Sequence, residues 1–297
     1  MRVNPNLMPD LLAALGQTKL EEQQDELELA TGSSVNVPSD NPVAAALLVE
    51  NNDQATFNAS YLQSLATVNG QLSTADSTLN SVVTTLQRAI SLGVEGANGT
   101  LSDSDRNDIA QELQGIQSQL ISLANTSYEG NYIFGGTETA TPPYTANPSD
   151  PSGSGVTYNG NTDVNEVSVG SGYQVAVNVP GSQLFSESGN DVFLALNNLI
   201  SAIQSNGDIA DATNALSSAA NYLTAQRVFY GNAMSQVQSQ TTYLDTAKQQ
   251  IAQQQNTLGA ADMATAATGL SAAQTDEQAA IEAMSKVSQN TLFDYLR

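Results

Sequence analysis

The run DSDRNDIAQELQ, beginning at Asp103, is where residue type and spacing come nearest to chemistry. Asp103, Asp105 and Asn107 stand at the first, third and fifth positions of a calcium-type loop, where oxygen ligands would surround a divalent cation. The pattern then breaks. Asp108 occupies the position that needs glycine, and Gln114 the position of the bidentate glutamate. The same residues read more simply as an acidic helix start, with Ser102 or Asp103 as cap and carboxylates near the positive dipole end. A second candidate, Gly135-Gly136 in YIFGGTETA, lacks the lysine and spacing of a phosphate-binding loop and reads as a strand ending in a turn. Glu21 and Glu22 are neighbours on a helix and point apart, so they make a solvated face and not an acid–base dyad.

Composition narrows the chemistry further. The 297 residues include no Cys, no His and no Trp. That removes disulfides, thiolate nucleophiles, imidazole bases and the usual zinc ligands. An enzyme would have to work through Lys or a carboxylate pair, and no spacing assembles either. The chain therefore reads as a non-enzyme, with no catalytic or metal residue and no cofactor. Its net charge of −22 rests on only 8 Lys and Arg, none of them between Arg106 and Arg227. Without a basic stripe, neither nucleic acid nor an anionic membrane is expected as partner. The longest apolar run, VAAALLV, is far short of the roughly 20 residues of a membrane span. The opening MRVNPNLMPDLLAALGQ is interrupted by Asp10, and no cleaved secretory signal is expected there.

The elements that must position these residues are mostly helices. The first spans about residues 7–30, with Leu7, Leu11, Leu15 and Leu27 on helical spacing, and Gly32 ends it. NVPSDNPVAAA follows as a stop and restart. Pro38 keeps Val37 extended, Asp40 or Asn41 caps the next helix, and Pro42 takes its first position, with Ser39 between. A long helix over about 41–95 carries a seam of heptad type through Leu62, Leu65, Val68, Leu72, Ala75, Leu79, Val82, Leu86 and Ile90. A third helix presents Ile109, Leu113, Ile116, Leu120 and Leu123.

From about Gly130 to Ser188 the texture becomes β. Tyr173, Val175, Val177 and Val179 alternate, Asn159-Gly160 has the chemistry of a hairpin turn, and ATPPYTANPSDPSGSG reads as loop. Helical pattern then resumes, first in NDVFLALNNLISAIQSNG and then over about 209–256 and 260–290. The expected fold is mainly α with a small β insertion. N- and C-terminal segments form a long antiparallel helical bundle or rod, and an inserted β-rich domain interrupts it. Each end is a helix of about 30 residues with a thin apolar face, which is marginal alone in water. The two ends have the pattern to pair with each other or with neighbouring copies, and the spacing does not choose between these.

Several stretches together resemble the flagellin family of bacterial axial proteins, and within it the hook–filament junction branch. GSSVNVPSDNPVAAA (residues 32–46) is similar to the family's Gly-basic-x-Asn-x-Pro-Ser-Asp-Asp-Pro-Val-Ala segment. ELQGIQSQLISLANTSYEGNYIFGGTETATPPY (112–144) resembles the segment that leads from helix into the β domain, and TYNGN its first hairpin. GAADMATAATGLSAAQTDEQAAIEAMSKVSQNTLFDYLR resembles the family's C-terminal segment, with Asp262 and Ala264 in an Asp-x-Ala position. Two departures stand out: Ser33 and Ser34 replace the basic residue, and Asn41 replaces the second Asp.

The resemblance implies a structural function. Residues 1–40 with 259–297 would form an axial coiled-coil domain, disordered in the free monomer. Residues 41–129 with 189–258 would form a helical rod, and 130–188 a projecting β domain. Leu7, Leu11, Leu15, Leu270, Ile281, Met284 and Leu292 would face the axial interface, and Pro38, Ser39, Asp40, Asn41 and Pro42 would make the interdomain turn. The implied partners are hook-associated protein 1 on the hook side, flagellin on the filament side, further copies of the chain in a ring, and a cytoplasmic export chaperone. The implied location is the extracellular flagellum, reached through the flagellar type III apparatus. The alternatives are a filament subunit and, from another class, a secreted acidic adhesin whose β insertion binds a ligand.

Overall fold

The structure is a computed structural model. It describes the backbone of residues 7–150 and 152–295 and the side chains of residues 8–150 and 152–286. Among these residues the order is α1 (Leu7–Thr31), α2 (Pro42–Gly96), α3 (Asp103–Ala124), β1 (Ser127–Tyr128), β2 (Asn131–Tyr132), β3 (Tyr144–Ala146), β4 (Val156–Tyr158), β5 (Glu166–Gly170), β6 (Tyr173–Ala176), α4 (Gly181–Phe185), α5 (Val192–Ser205), α6 (Ile209–Gly259) and α7 (Met263–Tyr295). The fold is mainly helical with small antiparallel sheets, as the periodicity predicts. Residues up to Phe57 with those from Thr246 onward form one compact unit, and Asn58–Asp245 form the other. These bounds fall inside α2 and α6, and the hairpins share a unit with the helices. The physical reason is a common core: Val169, Val175 and Val177 of the β zone belong to the same buried cluster as Leu79 and Leu216.

In the Asn58–Asp245 unit, α2 buries two rows at seven-residue spacing. Leu65, Leu72, Leu79 and Leu86 form one, and Val68, Ala75, Val82 and Ala89 the other, all at 2% exposure or less. The heptad is what keeps one stripe of a long helix on a single partner. Helix α6 answers with Leu216, Leu223, Tyr230, Val237 and Leu244, again seven apart and buried. The two run antiparallel: Asp76 bonds Arg227 at 2.8 Å, while Gly93, farther along α2, lies against Thr213, earlier on α6. Arg227 makes a two-pronged contact, Nε to one Asp76 oxygen and Nη2 to the other, with Nη1 on Asn80. Helix α3 starts on a capping box, Ser102 and Asp105 each bonding the other's backbone N–H. The Asp103 region is thus a capped helix start. Helix α3 packs on α5, whose N-cap is Asp191.

The β zone is three separate antiparallel hairpins. The first turns through Glu129 and Gly130, both at positive φ (50° and 84°), the backbone that suits a two-residue hairpin. Two sequence expectations fail here. Tyr144–Ala146, within the segment read as loop, is a strand paired with β4. Asn125 holds it in place, its amide donating to the Tyr144 carbonyl (2.7 Å) and its oxygen accepting from the Tyr144 N–H (2.8 Å). Asn159-Gly160 is not a hairpin turn. The Asn159 N–H continues the ladder to the Pro143 carbonyl at 2.8 Å, and the Tyr158 hydroxyl then bonds the Phe134 and Asn161 carbonyls at 3.0 and 2.9 Å. Tertiary partners outrank the dipeptide's turn preference. Of the alternating run, Val175, Val177 and Val179 are buried, but Tyr173 is exposed.

Aromatic rings close this zone. Tyr144 meets Tyr158, Phe185 and Phe193 at centroid distances of 5.0, 5.8 and 5.1 Å. Such edge and tilted contacts add to the burial of large side chains. Burial pushes the phenols of Tyr144 and Tyr230 far above the ordinary tyrosine range, so both stay neutral hydrogen-bonding groups.

Candidate assembly surface

The unit made of the chain's two end segments is built differently. Gly32, at φ +69°, releases α1, and its N–H bonds back to the Glu28 carbonyl. The chain then runs beside the end of α6. Ser34 N–H donates to the Gly259 carbonyl at 2.8 Å, and Ala261 N–H donates to the Gly32 carbonyl at 3.0 Å. Ser33 and Ala260 form the β-bridge between them. The serines that stand where the family has a basic residue therefore join the two halves of the chain through backbone and hydroxyl.

The stop and restart is a nested pair of caps. Asp40 accepts from the N–H groups of Asn36 and Val37, both at 2.9 Å. Asn41 accepts from Ala44 N–H at 3.0 Å and caps α2, with Pro42 at the first helical position, where its missing N–H is no loss. Pro38 and Ser39 are exposed at the tip. On the returning strand Asp262 caps α7. It accepts from the N–H groups of Ala264 (3.1 Å) and Thr265 (3.2 Å) and from the Thr265 hydroxyl (3.0 Å). The Thr265 bonds, backbone first, hold the Asp262 carboxyl below the usual aspartate range. Sequence reasoning took Asp262 only as a family match. The signal was present in its spacing, an aspartate three residues before a threonine at a helix start.

Beyond these caps α1 and α7 lie antiparallel. Ser33 pairs with Ala260, Asp25 sits over Gly269, and Lys19 reaches Glu277 at 3.6 Å. The seam is thin. None of the described side chains of α1 is fully buried, and on α7 the buried ones are Ala266 and Ala273. Leu11, Leu15, Leu270 and Met284 are half-buried along it. Ile281 is exposed, and the side chains of Leu7 and Leu292 lie outside those described. Glu22 and Asp25 take half-buried positions that a tight coiled coil would give to leucine.

The same unit leaves much apolar surface open. Leu12, Leu20 and Leu27 on α1, and Val43, Val49 and Phe57 on α2, are all exposed. Leu47 and Leu258 line an open groove of about 620 Å³, together with Gln250, Gln253 and Gln254. Among the described residues no group of acidic side chains is placed to hold a metal ion, and no helix is long and apolar enough to cross a membrane.

Comparison with known proteins agrees with this layout. Residues 6–139 match the bacterial flagellin N-terminal helical region, and residues 213–296 the bacterial flagellin C-terminal helical region. Flagellar hook-associated protein 3 of Salmonella typhimurium is 34% identical over 146 residues, covering 48% of this chain and 46% of that protein. The protein of the same name from Escherichia coli is 38% identical over 118 residues, 39% of this chain and 37% of that one. The chain thus spans less than half the length of these two curated relatives. In fold it is similar to the crystal structure of flagellar hook-associated protein 3 from Legionella pneumophila, with a TM-score of 0.62 over 72% of this chain and 98% of that one, at 14% identity. Two family regions, one at each end and each built on the long helices described above, lead to one conclusion: the chain belongs to the bacterial flagellin family.

Proposed function

We propose that this chain is a structural subunit of the bacterial flagellum, forming the junction between hook and filament and assembled through its end helices. The observation that carries the reading is the contrast in burial. Helices α2 and α6 have fully buried heptad rows over Leu65–Ala89 and Leu216–Leu244, whereas α1 and α7 meet through alanines, half-buried leucines and acids. A segment that buries so little alone gains most of its ordering energy from neighbours. The end segments, residues 1–40 with 259–297, then act as the axial domain and order on assembly. Residues 41–129 with 189–258 act as the rod, and 130–188 as the outward β domain.

In this reading the hook-side neighbour is hook-associated protein 1 and the filament-side neighbour is flagellin, with copies of the chain closing a ring. Leu11, Leu15, Leu270, Ile281 and Met284, with Leu7 and Leu292, are the residues proposed to meet those neighbours. The resemblance to relatives called hook-associated protein 3 supports the choice of branch. Export through the flagellar type III apparatus, with a chaperone covering the end segments beforehand, follows from the same reading. The protein is proposed to carry out no catalysis. Electron microscopy of labelled flagella tests the placement. Label in one band between hook and filament is expected; label along the whole filament makes the chain a filament subunit instead.

A further inference from the structure

A second feature lies in the Asn58–Asp245 unit and has no part in the assembly reading. Two hollows, of about 310 Å³ and 280 Å³, adjoin one another and share Thr67, Gln71 and Val167 as lining residues. One wall is a single face of α2, where Ser60, Gln63, Thr67 and Gln71 recur at three- and four-residue spacing. The other wall is β5, and the far end is the first hairpin, which contributes Tyr128, Asn131 and Tyr132.

The α2 wall is polar, and its side chains are not engaged by the rest of the protein. One turn on, Thr74 donates to the Gly70 carbonyl at 2.8 Å, the usual resting place of a helical threonine. Thr67 makes no such bond, and the side chains of Ser60, Gln63 and Gln71 have no hydrogen-bond partner among the described residues. Four hydroxyl and amide side chains, exposed at Ser60, Gln63 and Thr67 and half-buried at Gln71, therefore line the hollow without a partner in the protein. Tyr128 is seated against α2 at Gly70, where a Cβ would come within 2.2 Å of the phenol oxygen, so aromatic surface is fixed at one end. No lining residue is basic, and Glu129 and Glu166 are the charged ones.

We propose that this trough binds a neutral oligosaccharide. Sugar hydroxyls match the amides and hydroxyls of the α2 wall, the tyrosine rings suit the apolar faces of pyranose rings, and the two glutamates repel acidic sugars. Each hollow is open to solvent and lies near the lower end of small-ligand site sizes. The test is saturation-transfer NMR on the full chain with three probes: maltotetraose, cellotetraose and tetra-N-acetylchitotetraose. Transfer to at least one is expected. The paired change Thr67→Val with Gln71→Ala should weaken that binding at least tenfold, and Tyr132→Ala comparably. Ser118→Ala, on α3, should leave it unchanged. The α2 pair lies on a solvated helix face, and its fold is checked by the unchanged melting of the far-ultraviolet signal. No transfer to any probe, equal binding by the α2 pair, or tighter binding of tetragalacturonate than of the neutral probes would each overturn the proposal.

Discussion

Two capping side chains decide how the end segments are held. Asn41 stands where the family has aspartate, yet it caps α2 with the same geometry a carboxylate would use, because the cap needs only an accepting oxygen. Asn41→Ala should therefore cost about 1 kcal/mol of local helix stability, and Asn41→Asp almost nothing; amide exchange at Ala44 and Ala45 reads both. Asp262 works at the start of α7 through bonds that lower its pKa. The carboxylate form is the one stabilised, so its contribution is complete above the ordinary aspartate value and is lost as pH falls through the lowered one. The protection factor at Thr265, its exchange taken relative to the intrinsic rate at each pH, is expected to fall below the usual carboxylate range and to stay flat above it, and Asp262→Asn should remove most of that pH dependence. In the other unit, Arg227 ties α6 to Asp76 and Asn80. Both charged side chains of that pair are partly exposed, so Arg227→Met should cost about 1 kcal/mol in urea denaturation. A leucine of the seam weighs more: Leu79→Ala, fully buried, is expected to cost about 2–5 kcal/mol.

At the scale of elements, legibility followed burial. The rows Leu65–Leu86 and Val68–Val82 could be read from spacing because a long helix with one partner repeats one contact; Leu62 and Ile90, read into the same seam, are half-buried, and Ala89 takes the buried place beside Ile90. The stop and restart was legible because Gly32, Pro38 and Pro42 each restrict the backbone locally. What could not be read is what depends on distant partners. Asn125 converts part of an apparent loop into β3, and Tyr158 takes the chain after β4 away from the turn that Asn-Gly favours. The thin apolar face of the end helices was legible, but the half-buried places of Glu22 and Asp25 in the α1–α7 seam were not, since Leu11 and Leu15 have the right spacing whatever they meet. Its consequence is measurable. Amides of α1 and α7 should exchange orders of magnitude faster than those around Leu72 in α2 and Leu223 in α6. Deleting residues 1–35 or 260–297 should leave a soluble core whose cooperative unfolding transition persists; loss of that transition would show that the end helices are integral to the fold.

For the whole molecule, charge sets the terms of association. At −22, copies of the chain repel one another, while the proposed contacts are apolar and short-ranged. Raising ionic strength from about 0.01 M to about 0.15 M shortens the screening length from about 30 Å to about 8 Å. Incorporation onto hook ends should accordingly become faster with salt, measured by counting labelled junctions over time. The bridge between Ser33 and Ala260 carries a further consequence. In Ser34 and Gly259 it joins residues 225 positions apart, so everything between them is, in connectivity, one closed loop. The entropy of closing a loop rises only with the logarithm of its length, about 0.6 kcal/mol per doubling. The clasp therefore makes the chain a ready acceptor for inserted sequence: a peptide tag or a small foreign domain spliced at the Ser171-Gly172 hairpin tip should leave the paired ends in register.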